Sequence, residues 1–223
     1  MAAKSLRKMV RSLGLSALLV STLALADVAD VQADQPHNRD AVDVACDRNS
    51  IRFGEPKGPH PTDPTDTALH PYYGSPFVVK GVIYPKGTLN ANCDPAVSPC
   101  GLLDDGQPEF PDKVIGTWYC RGWFTGEGGA GDVGGIFTPT GPFVVTTQIY
   151  DLNLQHPGAK TLISDGIELI DLHTPFRRAI TGGTGPFKDA RGQVTQTALG
   201  ANATGLFNFR FQFDLHPDRN LYE

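Results

Sequence analysis

The side chains of this chain that can do chemistry are few, and their spacing excludes more than it offers. Cys46, Cys93, Cys100 and Cys120 form no Cys-x-x-Cys unit and have no close pair of histidines beside them. The ligand spacing of a zinc site is therefore missing. His60, Asp63, Asp66 and His70 fall near one another, but in a stretch rich in Pro and Thr whose composition is that of a solvated linker. There is no Gly-x-Ser-x-Gly and no spacing that suits a triad, which sets nucleophilic hydrolysis aside. No metal and no cofactor is expected. Three groups remain as furniture for a cavity. Tyr150 is a hydrogen-bond donor and the one catalytic candidate, and Trp118 and Cys120 share a strand face in "TWYCRGWF". Glu168 alternates with Ile167 and Leu169 in "DGIELIDL", a pattern that turns its carboxylate toward water. Asp165, Asp171 and His173 fall near strand ends.

The elements that must position these groups begin after a leader. Lys4, Arg7, Lys8 and Arg11 precede an apolar run from Leu13 to Ala26, and small residues at Ala24/Ala26 and Val31/Ala33 offer cleavage sites. This is the layout of a secretory signal peptide over residues 1–33, cut after 26 or 33. The run is short for a membrane anchor and contains Ser16, Ser21 and Thr22. The expectation is a secreted or periplasmic protein with no membrane contact after cleavage. Removing 33 residues leaves 190, with 15 basic against 22 acidic side chains. Such a chain holds one ordinary core and offers no positive face for nucleic acid.

An exported chain with an even number of cysteines is expected to form disulfides, and four allow three pairings. "CDPAVSPC" is a short loop bent by Pro95 and Pro99, which favours Cys93–Cys100. Cys46–Cys120 is the complement and would tie the N-terminal segment to the body. Asn202-Ala203-Thr204 has the form of a glycosylation sequon.

Residues 34–75 are rich in Pro, His, Asp and Thr and read as an extended arm. From Pro76 the pattern changes. "PFVVKGVIYPKGTL", "VIGTWYCRGWF", "GPFVVTTQIYDL", "KTLISDGIELIDL" and "GLFNFRFQFDL" are short, β-branched and aromatic, and separated by turn residues. The last is the clearest. Phe207, Phe209, Phe211, Phe213 and Leu215 share one face, and Asn208, Arg210, Gln212 and Asp214 the other. That alternation suits an antiparallel sheet whose Phe row fills a core. In "AITGGTGPFKDARGQV", Gly182, Gly183 and Gly185 allow a sharp reversal, Phe187 folds back over it, and Gly192 marks a bulge or close packing. No helix follows, so the glycines make a hairpin corner rather than a phosphate cradle. The chain is predicted to be all-β, an eight-stranded antiparallel barrel over residues 76–217 with a tail at 218–223.

At that corner and the aromatic strand after it, the chain resembles the allene oxide cyclase and dirigent-protein barrel superfamily. The resemblance covers about Pro76 to Leu215 and is strongest in its last third. It implies an eight-stranded barrel with an apolar cavity whose shape guides cyclisation or radical coupling. It also implies cavity places for Tyr150 and Cys120. Where the plant cyclase has a glutamate on its first barrel strand, this chain has Lys80. Three functions stay open: a barrel that binds a hydrophobic small molecule, a cyclase or isomerase that works by confinement, and a filled barrel serving as a structural or interaction module. A homo-oligomer, dimer or trimer, is an expected form.

Overall fold

A computed structural model describes residues 41–55, 57–58, 70–71, 74–125, 142–169, 171–216 and 221. The leader at 1–33 lies outside the described residues, as does the tail at 218–223 apart from Leu221. The strands are β1 (Ala41–Cys46), β2 (Arg52–Phe53), β3 (Lys57–Gly58), β4 (His70–Pro71), β5 (Pro76–Pro85), β6 (Gly116–Phe124), β7 (Pro142–Asp151), β8 (Thr161–Leu169), β9 (Phe176–Gly183), β10 (Arg191–Ala201) and β11 (Phe207–His216). Eight of them pair in the order β1-β11-β10-β9-β8-β7-β6-β5, and β5 returns to β1. Every barrel pairing is antiparallel, so the sheet closes without a free edge. The short β2 adds to β5, and β3 and β4 pair with each other.

Alternation decides what the barrel encloses. On β6, Trp118, Cys120 and Phe124 are buried while Tyr119 and Trp123 are exposed. On β11, Phe209, Phe211, Phe213 and Leu215 are buried. Tyr150 stands edge-on to Phe211 and Phe213, with ring centroids 5.0 Å apart in both cases. At the β9–β10 corner a 3-10 turn runs from Gly185 to Phe187, and Phe187 joins the core. Gly185 has φ +57°, and a Cβ on Gly183 would stand 2.2 Å from the Thr161 carbonyl oxygen. No other residue fits that approach.

Two sequence expectations are corrected here. The segment 34–75 is not simply an arm, because its residues 41–46 form β1 and close the barrel. Val42 lies opposite Phe211 on β11, and Val44 lies opposite Ile83 on β5. Val42, Val44 and Cys46 face the core, but six residues with a central Asp43 are too short a pattern to read alone. The second correction concerns Cys46 and Cys120, which are both buried free thiols. Cys46 is in register with Gly81 on one side of β5, and Cys120 with Val79 on the other. They are separated by two strand spacings and by a two-residue offset along β5, more than the roughly 7 Å between Cα atoms that a disulfide can bridge. Cys93 and Cys100 do form one, with Cα atoms 5.7 Å apart.

β1 is buried on both faces because the β5–β6 connection covers its outside. Ala45, Tyr84, Leu89, Leu102 and Leu199 make a second apolar cluster there. Asp43 fixes that cover. Its carboxylate accepts from the backbone N–H groups of Gly87 (2.8 Å) and Leu89 (3.0 Å), and pairs with Arg210 at 2.7 Å. The Cys93–Cys100 disulfide staples the same connection, and Tyr84 donates to the Gly101 carbonyl at 2.7 Å. The sequon is also part of this packing. Asn202 is buried, and its Nδ2 donates to the Cys46 carbonyl and to Asn208 Oδ1, so the nitrogen a glycan would need is committed inside the fold.

Replacing Asp43 by Ala strands two backbone donors and a guanidinium together. Asp43→Ala is expected to lower unfolding stability by about 2–4 kcal/mol and to open the β5–β6 connection to proteolysis. Urea unfolding and limited digestion check this, and a loss below about 0.5 kcal/mol would show that the clamp is unimportant.

Candidate functional site

The inward positions of four neighbouring strands carry a polar layer within the apolar barrel. β7 contributes Thr146 and Gln148, β8 contributes Ser164 and Glu168, β9 contributes Arg178, and β10 contributes Gln196, all of them buried. Glu168 is the centre. Its Oε1 accepts from Thr146 Oγ1 at 2.5 Å, Gln148 Nε2 at 2.9 Å and the Cys120 thiol at 3.4 Å. Its Oε2 accepts from Gln196 Nε2 at 3.1 Å. Arg178 Nη1 stands 3.7 Å from Oε1. A group that only accepts has thus been given only donors, which suits a carboxylate.

Arg178 is equally well supplied. Its Nε donates to Ser164 Oγ, its Nη1 to the Gly166 and Ile167 carbonyls, and its Nη2 to the Thr146 and Ser164 carbonyls. A buried ion pair survives only when its remaining donors and lone pairs are met in this way.

Glu168 overturns the sequence expectation that it faces water. The inner face of β8 is Leu162, Ser164 and Glu168, while Ile167 points out and is half-exposed. The more hydrophobic half of "GIEL" is therefore outside. The local pattern misleads because the partners that make Glu168 tolerable come from other strands. The readable signal was on β7. If Tyr150 faces in, then Gln148 and Thr146 face in with it, and a buried Gln requires partners.

Beside Glu168 lies a cavity of about 60 Å³. Val79, Trp118, Cys120, Val144 and Phe209 wall it together with Cys46, and Ile51, Phe77, Phe124, Leu206 and Phe207 stand around it. Among the described residues, Glu168 is the single carboxylate in this lining. Trp118 and Cys120, singled out from sequence, are in the wall. Tyr150 is not among the lining residues. Its hydroxyl donates to Gln148 Oε1 and shares a 3.1 Å bond with Ser164 Oγ, so it props the layer that holds Glu168. Asp165 is elsewhere, accepting from Thr147 and Thr181. Asp171 and His173 belong to the β8–β9 connection, and Lys80 is exposed on β5.

Burial sets the protonation of the other groups. It pushes the Cys46 and Cys120 thiols well above 9.0, and the negative charge of Glu168 adds to the effect. It pushes the Tyr150 hydroxyl upward as well. Neither thiol is a ready nucleophile, because the thiolate is the reactive form. Glu168 is left as the one carboxylate among the described residues of the cavity wall. Trp118 adds one open donor. The residue is 2% exposed, and its indole N–H has no acceptor among the described residues.

A closed eight-stranded antiparallel barrel with a small, mostly apolar cavity and the Glu168 carboxylate in its wall is the class of protein that fold and site define. Among solved structures it is similar to two pterocarpan synthase dirigent proteins. One is 14% identical, with 80% of this chain and 86% of that chain covered and a TM-score of 0.43. The other is 16% identical, with 77% and 88% covered and a TM-score of 0.44. A pyocyanin demethylase is also similar, at 16% identity, 78% and 97% coverage and a TM-score of 0.40. No family model and no curated protein matches the chain.

Two predictions follow from these environments. Glu168→Gln turns an acceptor into a group with an N–H₂ that faces donors, and leaves Arg178 buried without its counter-charge. A loss of about 3–5 kcal/mol is expected, measured by denaturant unfolding, and a neutral effect would show that the pair is not structural. The second concerns alkaline pH. Cys46, Cys120 and Tyr150 are held neutral by burial, and Tyr84 is pushed up to about 12. These acids ionise more easily in the unfolded chain, so their contribution is complete below the unfolded values and is lost as pH rises. Stability should fall from about pH 9 upward, by about 1.4 kcal/mol per pH unit for each group that titrates only when unfolded. Replacing both free cysteines by Ala should flatten the part between pH 9 and 10 and leave the tyrosine part above it. An unchanged slope would refute the assignment.

Proposed function

We propose that this protein, after export, encloses an apolar small molecule in the Glu168 cavity and guides its cyclisation or coupling by confinement. The observation that carries the reading is a buried carboxylate in the wall of an otherwise apolar cavity. A barrel needing only a core could fill this place with another Leu, without gathering donors from four other strands. Confinement supplies proximity and a folded ligand shape, and Glu168 places a fixed carboxylate in the wall against which a guest is oriented. At about 60 Å³ the cavity takes a small fragment as it stands. A larger ligand enters by turning aside Phe77 and Phe207, which are only half-buried. The disulfide Cys93–Cys100 supports an oxidising compartment.

A second reading has its own observation. Trp123, Val145 and Ile167 lie directly opposite one another across β6, β7 and β8, and all three are exposed on the outer face. Such a row supports a structural or interaction module that assembles as an oligomer.

Mass spectrometry of an organic extract from protein purified from its native source separates the readings. A stoichiometric apolar compound is expected, and it should be missing from Val144→Phe, which fills the cavity at a cost of about 1–3 kcal/mol. An empty extract with no thermal shift from apolar ligands would sink the cavity reading in favour of the filled barrel.

A further inference from the structure

We propose that Trp118 is the specificity-determining donor of the cavity, and that the ligand it selects carries a neutral carbonyl-type oxygen. This rests on the reading that the cavity takes a ligand, and names the chemistry of what enters. The indole of Trp118 is part of the wall, is 2% exposed, and has no protein acceptor for its N–H among the described residues. A buried donor without a partner is costly, and buried polar atoms are nearly always satisfied. Trp118 lines the cavity, and a guest held there is the source of an acceptor on this proposal.

The other polar groups narrow the choice. A ligand carboxylate would bring a second negative charge next to Glu168. An ammonium group has no lone pair to offer the indole, and the charge of Glu168 is already matched by Arg178 at 3.7 Å. A hydroxyl would accept from Trp118 but bring a proton of its own that needs an acceptor. Oε1 of Glu168 already accepts from three donors, so the hydroxyl proton would have to share Oε2 with Gln196. A ketone, aldehyde, quinone or lactone oxygen accepts and donates nothing, so it satisfies the indole and adds no new debt. The thiols of Cys46 and Cys120 stay protonated beside it, and the rest of the wall packs against an apolar body.

The test uses two small probes of the same shape, cyclopentanone and methylenecyclopentane, of which only the first has an acceptor. The chain has two tryptophans, and Trp123 is 53% exposed, so it serves as an internal reference for indole ¹⁵N–¹H resonances. With unaltered protein, cyclopentanone should move the Trp118 indole proton downfield while Trp123 stays in place. The alkene should bind without that downfield shift. In Trp118→Phe, affinity for the ketone should fall by on the order of tenfold more than affinity for the alkene. Binding of both probes with a still Trp118 resonance overturns the inference alone. Binding of neither overturns the cavity reading and this inference with it. The resonance measurement needs no substitution at Trp118, so it decides the matter even where Trp118→Phe does not fold.

Discussion

The barrel depends on a charge pair that it alone can keep. Arg178 and Glu168 are both buried, and neither charge is tolerable in an apolar interior without the other. Their supporting donors and acceptors come from β6, β7, β8 and β10. A one-residue slip of any of these strands would turn its contribution outward. The pair therefore acts on register as well as on chemistry. Aromatic rings fill the volume, but many rings fit many registers, whereas four donors to one carboxylate fit one.

Closure joins this layer to the outside of the molecule. β1 completes the cylinder between β11 and β5, and its alternate residues serve two cores. Val42, Val44 and Cys46 face in, with Cys46 in the cavity wall. Asp43 and Ala45 face out, where Asp43 holds the β5–β6 connection and Arg210. The disulfide-stapled connection thus presses on the strand that carries part of the cavity. Sequence-distant features, a surface loop and an interior wall, share one six-residue strand.

The fold was largely legible because its evidence is local. Five alternating aromatic and aliphatic residues from Phe207 to Leu215 state their own face, and "TWYCRGWF" places Trp118 and Cys120 together without help. β1 was not legible, because its alternation is brief and its outer Asp43 is buried by a loop no short window contains. For the site, the strand alternation places Trp118 and Cys120 on the inner face of β6, where both stand in the wall of the cavity, while the hydroxyl of Tyr150 supports the polar layer. Glu168 was assigned to the wrong face, because its apolar neighbour Ile167 looked more suitable for a core. Local hydrophobicity decides a strand's face only when the interior is uniformly apolar. Here the inner face of β8 is chosen by partners 20 and 28 residues away, Gln148 and Gln196.

On the proposed reading, the same burial that makes the interior stable restricts its chemistry. The two thiols and the Tyr150 hydroxyl are kept protonated, so attack by a thiolate or phenolate is suppressed where a reactive guest would lie. Glu168 keeps its donors on every side, which fixes its position and limits how far its charge can be spent on a ligand. A group so constrained is better suited to orienting a guest than to driving a difficult proton transfer. Rate in such a cavity comes from the shape in which the guest is held. Selectivity comes from the few polar contacts left open, and among the described residues the indole of Trp118 is the open donor.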